Sequence, residues 1–322
     1  MSFVITYNPR EDYVKDELQV ILRQESTTYY AKKSNYFALS SLDCNDRNKQ
    51  VNEGWRRKVC EWLFEVVDHF QFDREVVLFA VCFLDRAASI ETKKLGKSLN
   101  PRQFQIIAAT CFYIAIKLHG EVTPDVTGAP RCKLKIETMV ALSRALLTVE
   151  ELEEKELEIL DELDWRVNPT TSIGMIASLL HFLPNGRKTT KKEIYEISRY
   201  LAEISACVSA VAFHYKPSEI AYAGILCAFD TLGADAEIPC AIRVEFTKKV
   251  HASTGMTPQS MTTLKCLLKD LCPSMFPEED CYSSLEESKA SCDAEGSSSS
   301  KKTSDEHGKN SPTCVLKFPA AP

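Results

Sequence analysis

No uncharged apolar run in this 322-residue chain reaches the ~18 residues that a membrane-spanning helix needs, so no membrane partner is expected. Glycine is scarce, with eleven residues and almost none inside the periodic segments. That points to an all-helical protein. A basic excess is also absent: the formal charge is −6 and the pI about 5.7, which argues against a nucleic-acid surface. The six histidines are scattered, and there is no D-D-x-x-D, no H-E-x-x-H and no nucleophile–base constellation. No catalytic residue, metal or cofactor is therefore expected, and the chain reads as a non-enzyme. Thirteen cysteines are present without one C-x-x-C pair. Cys60, Cys82, Cys111, Cys207 and Cys227 lie inside apolar helical patterns, so buried reduced thiols are expected rather than zinc sites or bridges. The N-terminus MSFVITYNPREDYVKDEL lacks a charged-then-apolar leader, and the expected location is nucleus and cytoplasm.

What is there is helical periodicity. Residues 11–25 form a short amphipathic helix with Val14, Leu18, Ile21 and Leu22 on one side. After a polar connector, five helices are predicted over 52–70, 73–90, 101–119, 135–146 and 149–164. Asp73 caps the second, Asn100-Pro101 opens the third and Gly120 ends it. Pro169 breaks the pattern, and a second set follows over 171–182, 190–212, 217–231, 238–252 and 258–271. Two consecutive five-helix units make a duplicated architecture without visible sequence repetition. The expected division is an N-terminal helix and connector over 1–50, a first helical domain over 51–168, a second over 169–272 and a tail over 273–322. The tail is rich in Ser, Glu, Asp and Lys, and its composition predicts disorder.

Two charges sit where the periodicity asks for apolar residues. At 3.6 residues per turn, Leu152, Ile159, Leu160 and Leu163 share one arc, with Glu156 in its middle. A lone carboxylate there is costly unless it meets a cation or a partner protein. The nearest candidate cation is Lys117, the first charge after FQIIAATCFYIAI (Phe104 to Ile116). A Lys and a Glu at the rim of one helical core suggest a docking site rather than a reaction centre. Plainer readings stand beside this one. Lys117 also occupies a helix C-terminus, where the dipole contributes ~0.3–1 kcal/mol, and a half-turn change of helix phase makes Glu156 an ordinary solvated residue. Asp85 borders the stripe of Leu78, Val81, Leu84 and Ala88, and needs a partner if buried.

Three segments resemble the first three helices of a cyclin box: WRRKVCEWLFEVVDHFQF (Trp55 to Phe72), VVLFAVCFLDRAAS (Val76 to Ser89) and FQIIAATCFYIAIKLHGE (Phe104 to Glu121). The resemblance covers residues 50–166 strongly and 170–272 more faintly, as the second of two tandem five-helix cyclin folds. VILRQE followed by SNYF (Ser34 to Phe37) is most similar to the lead-in of D-type cyclins. The first fifty residues also lack the R-x-x-L and K-E-N segments that mitotic cyclins use for timed destruction.

This resemblance implies a regulatory subunit that binds and allosterically activates a cyclin-dependent protein kinase in G1-type cell-cycle control. Lys117 and Glu156 match the family's grip on the kinase's mobile helix. Arg56 and Asp85 match its structural ion pair. Trp55, Arg56, Val59, Trp62 and Gln105 match its substrate-docking patch, although Trp55 stands where Met is usual and Lys58 where an apolar residue is usual. An all-core role for Val59 and Trp62 competes with that reading. Leu42, Cys44 and Asp46 follow the spacing of the L-x-C-x-E motif that binds retinoblastoma-like proteins, with Asp in place of Glu. Ser311-Pro312 is a minimal proline-directed phosphorylation site. The competing expectation is a transcriptional-type cyclin or a transcription factor IIB-like helical adaptor, which shares the duplicated five-helix architecture. A DNA-contacting version of it calls for a basic face.

Overall fold

The computed structural model describes residues 11–30, 35–37, 51–120, 134–144, 147–184, 188–232 and 239–276. These form helices joined by turns, with no strand among the described residues. Helix α1 (Glu11–Gln24) runs into a π-helical turn, Glu25–Tyr29. The first fold comprises α2 (Glu53–Phe70), α3 (Glu75–Leu95), α4 (Pro101–His119), α5 (Ile136–Leu142) and α6 (Val149–Glu162). The second comprises α7 (Ser172–Leu179), α8 (Lys188–Cys207), the single turn α9 (Ser209–Ala212), α10 (Pro217–Leu232), α11 (Cys240–Thr254) and α12 (Thr262–Leu271). Among the described residues, no helix is long and apolar enough to cross a membrane.

Each fold is built around one nearly all-buried helix. In the first it is α4, where Phe104 and Ile107 to Ile116 are all buried and α2, α3, α5 and α6 pack around it. In the second it is α10, buried from Ile220 to Phe229 against α7, α8 and α12. Such helices have no polar face of their own. They form because neighbours on all sides remove their side chains from water. The ends carry local signals. Asn100 accepts from the Gln103 amide at 2.9 Å while Gln103 reaches back to the Asn100 amide, a capping box that opens α4 at Pro101. Thr148 and Glu151 do the same for α6. Asp73 accepts from the Glu75 amide at 2.9 Å at the start of α3. Gly120 closes α4, and a Cβ there would lie 2.4 Å from the Ile116 carbonyl oxygen, so no other residue fits.

Several boundaries differ from the periodicity, among them the end of α5, which stops at Leu142 rather than 146. Helix α3 continues to Leu95, since nothing interrupts it before Gly96, which ends it at φ 63°. The 258–271 segment opens with a 3-10 turn, Gln259–Met261. The predicted helix over 190–212 breaks at Val208, which is extended at φ −101°, ψ 111°. Neither Pro nor Gly marks that break. It frees backbone carbonyls at the end of α8, and Arg56 of the first fold takes the Ala206 carbonyl at 2.7 Å. A tertiary hydrogen bond compensates for the helical one given up.

The folds meet along α8, which packs on α2 and α3. Glu203, buried on α8, pairs with Arg199 at 2.9 Å and across the junction with Arg74 at 3.0 Å. Glu75 accepts a short hydrogen bond from Thr171, whose hydroxyl also caps α7 through the Gly174 amide at 2.9 Å. The N-terminal segment locks onto the second fold: α1 packs on α11. The buried Glu25 carboxylate accepts from the Ser218 amide at 2.8 Å and hydroxyl at 2.6 Å. It thereby occupies the positive end of α10. Burial raises the Glu25 pKa, against the lowering effect of these bonds.

The cysteines divide. Cys60, Cys111 and Cys227 are fully buried as expected, whereas Cys82 and Cys207 are only partly buried. Cys82 lines a cavity of about 90 Å³ where the N-terminal segment meets both folds, and Cys207 lies at the end of α8, by the junction. The retinoblastoma-type motif Leu42, Cys44 and Asp46, the tail over 277–322 and Ser311 lie outside the described residues.

Candidate functional site

Two charged pairs dominate, and they are physically unlike. The first lies at the surface between α4 and α6. Lys117, in the last turn of α4, places Nζ 2.7 Å from Glu156 Oε1, near the middle of α6. The Lys117 side chain is 47% exposed and that of Glu156 12%. Leu152, Ile159, Leu160 and Leu163 of the same face are buried, and Glu156 lies on that face with only a small part of its side chain in solvent. Nζ also lies 5.2 Å from the centre of the Tyr113 ring, one turn back on α4. Beside each charge is an exposed leucine: Leu118 is 50% and Leu157 59% exposed. An exposed pair of this kind stabilises a fold by only ~0–1 kcal/mol. The pair therefore leaves one ammonium reachable from solvent at little cost to the fold, with an exposed leucine next in sequence to each charge.

The second pair is buried at the junction. Arg56 on α2 and Asp85 on α3 have no exposed side-chain surface. Nε donates to Oδ1 and Nη2 to Oδ2, each at 2.9 Å, a two-pronged match of guanidinium and carboxylate. The remaining Nη1 donates to the Ala206 carbonyl. Tyr36 donates its hydroxyl to Asp85 Oδ1 at 3.2 Å, and its ring stacks edge-on against Phe213 of the second fold. Burial alone lowers the Arg56 pKa, but the Asp85 carboxylate reverses this and holds it well above its ordinary value. This one guanidinium joins α2, α3 and α8, while Tyr36 brings in the N-terminal lead.

The face spaced at Trp55, Val59 and Trp62 divides between surface and core. Val59 and Trp62 are 4% and 5% exposed, and Trp62 packs edge-on against Phe112 of α4 at 5.6 Å. Its indole Nε1 is buried without a hydrogen-bond partner among the described residues. With Arg56 also fully buried, only Trp55 and Gln105 of the five predicted patch residues reach solvent, each half-buried.

Periodicity missed three buried charges: Arg86, Glu25 and Glu203. Arg86 follows Asp85 and is fully buried, donating to the carbonyls of Arg166 at 2.8 Å and Leu163 at 3.2 Å, just beyond α6. Its only sequence signal is a second charge inside the apolar run VVLFAVCFLDRAAS. Glu25 gives none, because it stands in a polar stretch 193 residues from its partner.

An exposed Lys–Glu pair on one five-helix fold, with a buried Arg–Asp pair binding it to a second, defines a tandem-helical protein. Family models for the cyclin N-terminal domain and the cyclin C-terminal domain match residues 24–168 and 178–302. The chain belongs to the cyclin family. It is 28% identical over 235 residues to G2/mitotic-specific cyclin-A1 of Caenorhabditis elegans, covering 72% of this chain and 41% of that protein. It is also 28% identical over 221 residues to human G1/S-specific cyclin-D3, covering 67% and 65%, and 27% identical over 168 residues to cyclin-D4-2 of Oryza sativa subsp. japonica, covering 52% and 40%. The chain spans about half the length of these relatives. Mitotic and G1/S relatives match at the same identity. A viral cyclin from herpesvirus saimiri has the same fold, with a TM-score of 0.54 at 17% identity, covering 83% of this chain and 97% of that one.

Proposed function

We propose that this cyclin is a non-catalytic regulatory subunit that binds a cyclin-dependent protein kinase and shifts it toward its active state. The observation that carries the reading is the Lys117–Glu156 pair, which leaves the Lys117 ammonium reachable from solvent, with exposed Leu118 and Leu157 next to the two charges in sequence. The surface holds one position of the kinase's mobile helix better than the others, and that difference in binding energy moves the kinase equilibrium. In the inward position the kinase helix completes the Lys–Glu ion pair that positions the ATP phosphates. The role is G1-type, in nucleus and cytoplasm, a reading supported by the D-like lead-in and by the missing R-x-x-L and K-E-N segments. Substrates and retinoblastoma-like proteins are secondary partners. Trp55 and Gln105 supply the reachable part of the substrate patch, and Lys58 beside them shifts its preference away from basic peptides.

The test is co-purification from native cell extract with wild type and with the Lys117→Ala/Glu156→Ala double variant. Removing both charges should abolish capture of kinase and of kinase activity toward a retinoblastoma-type substrate. Helical circular dichroism and melting should stay within a few degrees, as the loss of an exposed pair requires. Undiminished kinase capture by the folded double variant overturns the assignment.

A further inference from the structure

The junction also brings together two thiols that the docking surface does not use. Cys60 sits on α2 one turn after Arg56, with no exposure, and its Sγ lies 3.8 Å from the carbonyl of Ala206, the residue preceding Cys207. Cys207 is the last residue of α8, partly exposed, with Sγ 3.8 Å from the Glu203 carbonyl. Cys60 therefore packs against the peptide that joins Ala206 to Cys207, across the interface between the folds. We propose that Cys60 and Cys207 form a peroxide-responsive dithiol that closes into a disulfide, tying the first cyclin fold covalently to the second.

Their surroundings assign the roles. The neighbouring Cys60 thiol lowers the Cys207 pKa in spite of burial, and the Arg56 charge adds to it. The neighbouring Cys207 thiol and burial together raise that of Cys60 well above the usual thiol range. Cys207, partly exposed where Cys60 is fully buried, is the thiol that meets peroxide first. Its thiolate sulfur bonds to one peroxide oxygen, the O–O bond breaks, and the departing hydroxide takes a proton to leave as water. Cys207 is then a sulfenic acid. The Cys60 sulfur attacks it, forming the S–S bond and breaking the S–O bond, and the Cys60 proton leaves with the hydroxyl as a second water. Two thiols lose two electrons and one peroxide is reduced to two waters. In a reducing compartment such a bridge is transient, as expected of a sensor rather than a structural staple. Arg56 lies one turn away, bonded to the carbonyl beside Cys207, so closure fixes the contact through which α2 and α8 already meet.

The test uses the full-length protein, reduced, freed of reductant and exposed to hydrogen peroxide. Non-reducing digestion should yield a peptide joining Cys60 to Cys207, with an intact mass loss of about 2 Da for the two hydrogens removed. Melting should rise by several degrees and return on reduction, because the bridge constrains the unfolded chain across most of the first fold. Cys207→Ser, at a partly exposed position, should melt like the reduced wild type and form no bridge. Cys60→Ala should leave Cys207 to accumulate as a sulfenic acid that dimedone captures. A Cys60–Cys207 peptide that appears with peroxide and vanishes in the Cys207→Ser variant upholds the proposal. Oxidation confined to other cysteines, or no oxidation at peroxide levels that modify an exposed thiol, overturns it.

Discussion

Replacing Asp85 by Ala removes one member of a pair in which neither side chain has exposed surface. Arg56 then keeps one hydrogen bond, to Ala206, and a ring contact with Phe213 at 5.3 Å. Its charge is otherwise stranded in the core. Breaking a buried pair in this way costs ~3–5 kcal/mol. For a protein of this size each kcal/mol moves the melting temperature by ~2–4 °C, so Asp85→Ala should melt ~6–20 °C below wild type. The double variant Arg56→Met/Asp85→Leu separates lost attraction from stranded charge, since an apolar pair of similar volume is often neutral in such a site. Here it should recover most of the loss but not all. The Ala206 carbonyl and the Tyr36 hydroxyl lose their partners, and an unsatisfied buried group costs ~1–3 kcal/mol. The assay is calorimetric or circular-dichroism melting of wild type, both single variants and the double. Asp85→Ala melting within ~2 °C of wild type would refute the reasoning, because that small a change corresponds to only ~0.5–1 kcal/mol. So would a double variant no more stable than either single one.

Glu25→Gln should make melting less responsive to pH. Burial raises the folded-state pKa of Glu25 above its ordinary 4.5, so the stability tied to its proton is fully present below 4.5 and is lost as pH rises through the folded value. The wild-type-minus-variant difference in melting temperature should therefore grow as pH falls from 7 toward 4.5, and a flat difference argues against a desolvated carboxylate. Gly120→Ala places a Cβ 2.4 Å from the Ile116 carbonyl. The last turn of α4 must unwind or shift, lowering melting by several degrees and weakening kinase capture through Lys117; a variant matching wild type in both measurements shows that the turn relaxes freely.

The legible parts of this protein were those whose physics is local. Glu156 could be placed by counting along α6, because a carboxylate among Leu152, Ile159 and Leu160 has only the rim of the stripe to occupy, and Lys117 ends the most apolar part of α4. Asp85 was legible in the same way, as a charge that had to find a partner. The third bond of Arg56 was not. Its acceptor is a backbone carbonyl, which every residue carries, at a helix break that neither Pro nor Gly marks. Glu25 was hidden for the same reason, since its value lies in capping α10 from another part of the chain. The two charged pairs then separate architecture from function. A fully buried pair cannot lose one member without stranding the other, so Arg56 and Asp85 are committed to holding the folds together. The Lys117–Glu156 pair is half in water, contributes little to folding, and leaves the ammonium within reach of a partner. An ion pair that the fold can do without is the one free to serve the kinase contact proposed above.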